Sequence, residues 1–173
     1  FSSILLKRRI ELYSKNWKEV INILKVGIIL TNDERSRAYL QKLQQQKILL
    51  DSYVLMNNAI EIEFSKEVIS TSKKFGFDIS ESTKNTLLKN NILFNEFNFL
   101  DINHPKLINF LKEENCDYFI FTGGGILKKD ILNLPIKFIH MHPGIVPHYR
   151  GSTCFYYSII NENNCGVTAF VMN

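Results

Sequence analysis

Six short apolar runs punctuate this chain, and their length is what most restricts its fold. They are Lys25-Val26-Gly27-Ile28-Ile29-Leu30, Ser52–Met56, Ile92–Phe99, Asp117–Thr122, Ile136–Met141 and Val167–Met172. Each is too short for an ordinary helix; Ile92–Phe99 alternates apolar and polar residues as a strand does, and the others are largely apolar, the first rich in β-branched residues as buried strands are. The segments between them carry helix signals instead. Asp33 is placed to cap a helix whose apolar face holds Ala38, Leu40 and Leu43. Residues 57–91 read as helical in two pieces, with Ser80 or Ser82 as a cap and Gly76 as a break. Asn103 and Pro105 open a helix carrying Leu107, Phe110 and Leu111. Ile126–Leu132 reads as a short helix and 152–161 as another. Strands alternating with helices of this length require right-handed crossovers. The expectation is an α/β, Rossmann-like, mainly parallel sheet with helices on both faces.

Ahead of the first strand, Leu6, Ile10, Tyr13, Trp17, Val20, Ile21 and Leu24 recur at three- and four-residue spacing. Residues 1–24 thus read as a helical extension, serving as a core or interface helix or as a partner-docking one, and 25–173 as one domain. With 173 residues, 45% of them hydrophobic and 22% charged, the chain has a globular balance. The net charge of +4 is spread, with only Lys7-Arg8-Arg9 clustered, so no electrostatic footprint argues for nucleic acid. Three cysteines are too few and too unevenly spaced for a disulfide framework, which points to a reducing, cytoplasmic setting. No apolar run approaches the roughly 18 residues that span a membrane. The terminal apolar run precedes its charges, the reverse of a secretory signal. With no initiating Met, the expectation is a chain that begins inside a longer gene product.

In an open parallel sheet, ligands bind beyond the carboxyl ends of the strands near a switch in strand order. Two loops there have unusual composition: Gly123-Gly124-Gly125 and His142-Pro143-Gly144. The first is no dinucleotide fingerprint, because Lys128 stands where the third glycine belongs. It reads either as a plain tight turn or as backbone bared so that a flat ligand can lie against its N–H and C=O groups. His140 and His142, two apart at a strand end, project to one face. A metal site lacks a third ligand at suitable spacing, and no cysteine is adjacent. Two roles stay open for the pair, as satisfied polar groups at a strand end or as general acid–base groups titrating near neutral pH. Pro143, Gly144 and Pro147 would stiffen the loop beside them.

His140-Met141-His142-Pro143-Gly144-Ile145-Val146-Pro147-His148-Tyr149-Arg150-Gly151 resembles the N-x-H-P-S-L-L-P-x-Y-R-G signature of the 10-formyltetrahydrofolate-dependent formyltransferases. That family includes glycinamide ribonucleotide, methionyl-tRNA and sugar-nucleotide enzymes. Asp117–Leu132 is similar to the family's strand, folate-contacting loop and short helix, and Gly166–Asn173 to its G-V-T strand. The resemblance implies a formyltransferase-type fold, with 25–173 its catalytic domain cut before the C-terminal end. It implies an enzyme moving a formyl group from 10-formyltetrahydrofolate to a primary amine. In that chemistry an amide and a histidine stabilise charge on the formyl oxygen and manage protons.

Carried over, His142 matches the catalytic histidine, and Ile126 and Leu127 match residues flanking the folate ring, behind Gly123, Gly124 and Gly125. His140 departs from the pattern, standing where the family has asparagine. The family's aspartate lies beyond Asn173, so the expectation is that 1–173 alone transfers no formyl group. A small-molecule amine is the expected partner, an amino sugar on a nucleotide carrier being favoured by the N-terminal helix. Nucleic acid enters only if the acceptor is a tRNA; no membrane is expected, and homo-oligomerisation stays open. The alternatives are hydrolysis of the formyl folate and an inactive member kept as a binding module.

Overall fold

A computed structural model describes residues 24–57, 63–151 and 153–172; the expected helix of 4–24 lies outside them but for Leu24. Six strands form one sheet: β1 (Val26–Leu30), β2 (Ser52–Met56), β3 (Asn95–Phe97), β4 (Tyr118–Phe121), β5 (Lys137–His142) and β6 (Thr168–Met172). Their order is β3-β2-β1-β4-β5-β6. All neighbours are parallel except β5 and β6, which run antiparallel with His140 opposite Phe170 and His142 opposite Thr168. The sheet is therefore α/β and mainly parallel, as expected from the alternation of runs.

Strand periodicity divides the core in two. Ile29, Val54, Met56, Phe119, Phe121 and Phe138 face one side, packed on Leu107, Ile108 and Leu111 of α4 (Pro105–Glu113) and Ile131 of α5 (Lys129–Leu132). Ile28, Leu30, Tyr53 and Leu55 face the other, against Leu40 of α1 (Glu34–Gln45) and Leu87 of α3 (Thr83–Lys89). The remaining helices are α2 (Lys66–Lys74) and α6 (Cys154–Glu162). Caps follow from side chains: Asp33 accepts from Ser36 N at 2.7 Å, and Ser65 and Ser82 cap α2 and α3. Gly76, at φ +79°, ends the first helical piece as the sequence suggests.

Several boundaries differ for local reasons. β3 is only three residues, because Ile92 N–H is spent closing α3 onto the Leu87 carbonyl and Asn91 turns left-handed. His104, not Asn103, caps α4, its Nδ1 accepting from Lys106 N. The helix expected from Ile126 begins only at Lys129, since Asn103 takes the preceding turn for itself. Its Nδ2 donates to the Ile126 carbonyl at 2.9 Å, and its Oδ1 accepts from Lys128 N at 2.7 Å.

The chain runs outward from β1 to β3, returns beside β1 as β4, and then runs outward the other way. The loops leaving β1 and β4 meet at this switch in strand order, and the crevice expected at the carboxyl ends of such a sheet lies beside them, toward β5. A buried hydroxyl cluster ties those loops together: Ser36 Oγ lies 3.1 Å from Thr31 Oγ1 and 2.7 Å from Thr122 Oγ1. Arg37, 2% exposed, fastens the rim by donating to the Asn32 and Ile79 carbonyls. Burial lowers its pKa, with the charges of Glu34 and Asp33 opposing.

Candidate active site

Phe138, His140 and His142 share one face of β5, so the strand that begins in the core ends in the crevice. The two imidazoles lie with ring centroids 6.2 Å apart. His140 sits between Phe121 (6.1 Å) and Phe170 (5.6 Å, edge-on). Its Nδ1 is buried and, among the described residues, has no hydrogen-bond partner. Burial first, and then the nearby Arg35 charge, lowers its pKa below the ordinary imidazole value, with an interaction with the Phe121 backbone opposing. The neutral imidazole, which carries one N–H, is therefore the favoured form of His140.

His142 is held differently. Its Nε2 lies 3.1 Å from the Tyr149 carbonyl and 3.3 Å from Cys154 Sγ, while Cys154 donates to the Pro143 carbonyl at 3.0 Å. The sequence expectation that no cysteine neighbours the histidines is thus corrected. α6 returns Cys154, 3% exposed, to the loop that left β5. The loop from 143 to 151 is further clamped by Thr168, which donates to the Gly144 carbonyl at 2.7 Å and accepts from Val146 N at 3.1 Å. The Val146–Pro147 peptide is cis. Tyr149 reaches Glu162 of α6 at 2.8 Å. Gly144, where the signature has serine, is required by crowding. A Cβ there would stand 2.6 Å from Cys154 Sγ and 2.8 Å from the Tyr149 carbonyl.

On the neighbouring strand, Phe121 of β4 is level with His140 of β5, and Gly123-Gly124-Gly125 follows directly. Gly124 adopts φ +115°, and a Cβ on it would meet Met56 and the Leu100 carbonyl; its own carbonyl accepts from Ile102 N at 3.0 Å. Gly125 has open space around it, and Ile126 is 85% exposed. Leu127 is turned the other way, 6% exposed inside the core. Of the two residues expected beside a ligand, Ile126 is available and Leu127 supports the loop from beneath. Arg35 donates to the Thr122 carbonyl at 3.3 Å and brings a positive charge to the same place.

Among the described residues, no group of three His, Cys, Asp or Glu side chains could hold a metal ion. No described helix is long and apolar enough to cross a membrane. Sequence reasoning missed Arg35, Asn103, Cys154 and Thr168 as parts of the site. Only Thr168 had a signal, its place at the head of the last strand opposite His142.

The comparisons with known proteins bear on the fold. The sheet superposes on phosphoribosylglycinamide formyltransferase from Anaplasma phagocytophilum with TM-score 0.54 and 13% identity, covering 86% of this chain and 64% of that one. This is a formyltransferase fold. In sequence, the chain is 35% identical over 74 residues to methionyl-tRNA formyltransferase of Caldanaerobacter subterraneus subsp. tengcongensis, a match covering 41% of this chain and 24% of that protein. The Clostridium acetobutylicum methionyl-tRNA formyltransferase is 36% identical over 73 residues, covering 40% and 24%. The chain thus matches about a quarter of the length of these curated relatives. No family model matches it. In the formyltransferase fold as this chain builds it, the crevice between the glycine loop and the paired histidines is the candidate active site.

Proposed function

We propose that this domain transfers a formyl group from 10-formyltetrahydrofolate to a primary amine. The observation that carries the proposal is the buried, unpartnered Nδ1 of His140 beside His142, at the carboxyl end of β5 and level with the glycine loop. A buried polar atom without a partner is costly, and a reacting carbonyl oxygen is the kind of acceptor that would complete it. The open backbone at Gly125 and the exposed Ile126 suit a flat, partly apolar ring. Bound there, 10-formyltetrahydrofolate supplies an activated formyl carbon to an attacking amine.

The residues divide the work. His140 donates an N–H to the formyl oxygen as negative charge grows on it; being neutral, it needs no counter-charge in the ground state. His142 takes the proton that the amine nitrogen loses and passes it to the folate nitrogen that departs as its bond to the formyl carbon breaks. The Phe121 and Phe170 rings flank the half-buried His140, which lowers the local dielectric and strengthens its hydrogen bond.

For the acceptor, an amino sugar on a nucleotide carrier is supported by the helical spacing of residues 4–24. The test is mass-spectrometric detection of formylated product from the full-length protein, given 10-formyltetrahydrofolate and a panel of nucleotide-linked amino sugars, glycinamide ribonucleotide and methionyl-tRNA. One acceptor gaining a formyl mass supports the reading. Free formate with every acceptor would replace it with a hydrolase, and no turnover at all with a binding module.

A further inference from the structure

We propose that His142 is held as its Nε2–H tautomer by the Tyr149 carbonyl, with Cys154 as a positioning residue, so that Nδ1 is the nitrogen that takes up protons. This rests on the reading of His142 as the acid–base group.

The Tyr149 carbonyl 3.1 Å from Nε2 can only accept, so a hydrogen bond there requires the proton to be on Nε2. Cys154 fits the same arrangement. Its S–H is directed at the Pro143 carbonyl 3.0 Å away, which leaves sulfur lone pairs toward Nε2 at 3.3 Å. The N–H is shared between an oxygen and a sulfur, and every polar group has its complement. The opposite tautomer sets the bare Nε2 lone pair against the Tyr149 oxygen. Turning the S–H toward Nε2 would answer that clash only by stripping the Pro143 carbonyl of its donor. The nitrogen selected in a neutral histidine is the one whose neighbour demands a proton, and here the loop that His142 begins folds back to make that demand.

Gly144 makes the arrangement possible, because a side chain at that position would occupy the space held by Cys154 Sγ and the Tyr149 carbonyl and would lie 3.1 Å from Nε2. Thr168 contributes by fixing the Gly144 carbonyl and Val146 N, so the loop cannot swing away. The tautomer is thereby set by parts of this chain already packed against one another.

The test is nitrogen-15 NMR of the full-length protein labelled at histidine, together with Cys154→Ala and Cys154→Ser, each confirmed folded by circular dichroism. In the wild type at alkaline pH, His142 is expected to show a protonated Nε2 and a bare Nδ1. Cys154→Ala removes one of the two acceptors at Nε2 and leaves the Tyr149 carbonyl in place, so it is expected to let a minority of the Nδ1–H tautomer appear and to lower kcat roughly tenfold with KM unchanged, a fraction of what general acid–base catalysis contributes. Cys154→Ser, which keeps a donor for Pro143 and an acceptor for Nε2, is expected to restore both readouts. A protonated Nδ1 in the wild type overturns the proposal, and unaltered tautomer and kcat in Cys154→Ala remove Cys154 from it. Because the spectrum is read without turnover, a protein that shows Nε2–H and transfers no formyl group would overturn the function while leaving the tautomer assignment intact.

Discussion

The two sides of the sheet are built to different rules. β1 and β2 bury Ile28, Ile29, Leu30, Val54, Leu55 and Met56 to 1% exposure or less, and they bear no histidine, acid or base. β5 has Phe138 in the core and then alternates into His140 and His142, while its partner β6 leaves Phe170 and Val171 partly in solvent. The first side fixes which fold forms; the second spends its inward positions on polar groups that a core would reject. Stability and chemistry are therefore carried by different strands of one ladder, and substitutions should separate them.

The sharpest separation is expected at His142. His142→Ala should cost roughly two to four orders of magnitude in turnover, the share that a proton-transfer group supplies, with the thermal midpoint little changed. Steady-state kinetics beside calorimetry would show it, and near-wild-type turnover would take His142 out of the mechanism. The reverse case is Ile29→Ala in β1, expected to cost about 2–5 kcal/mol of unfolding free energy by urea titration. Its kcat per folded molecule should hold, and a kcat loss as large as that of His142→Ala would erase the distinction between the two sides.

His140 lies between these extremes. His140→Ala should lower activity about a hundredfold by removing an oxyanion donor, whereas His140→Asn should retain or raise it. Equal, wild-type rates in both would make the residue structural. The smallest effect is on pH dependence. Because burial lowers the folded-state pKa of His140, the unfolded chain binds its proton first on acidification. Its contribution to stability is full above the ordinary imidazole value, about 6.5, and declines as the pH falls through that value toward the lower folded one. Thermal midpoints measured downward from neutral pH should fall less steeply in His140→Asn. An unchanged slope would mean that His140 is not desolvated.

The same contrast explains what could be read from residue order alone. The β1 and β2 runs announce themselves because both faces are buried and no polar residue interrupts them. His140 and His142 were legible because a two-residue spacing on a strand puts them together. What stayed hidden depends on distant chain folding back. Cys154 looks like any buried cysteine until α6 sets it against His142, and Asn103 looks like a helix cap until its amide is seen holding Ile126 and Lys128. Leu127, beside Ile126 in sequence, shows the same limit: periodicity cannot tell which of two adjacent apolar residues in a turn faces the core.

The hydroxyl cluster behind the crevice has a consequence for how such a sequence can drift. Thr122 donates to the Ile29 carbonyl at 2.8 Å, so Ser36 must give its proton to Thr122, and Thr31 its own to Ser36. Every proton in that line is already assigned. Alanine at Ser36 or Thr122 strands its neighbour in a dry interior, whereas at Thr31 the backbone N–H still serves Ser36 Oγ at 3.0 Å, so the costly first step is at Ser36 or Thr122. Ser36 and Thr122 should therefore be inherited as one character, although they lie 86 positions apart. A descendant that loses one of the two would be expected to lose both to apolar residues.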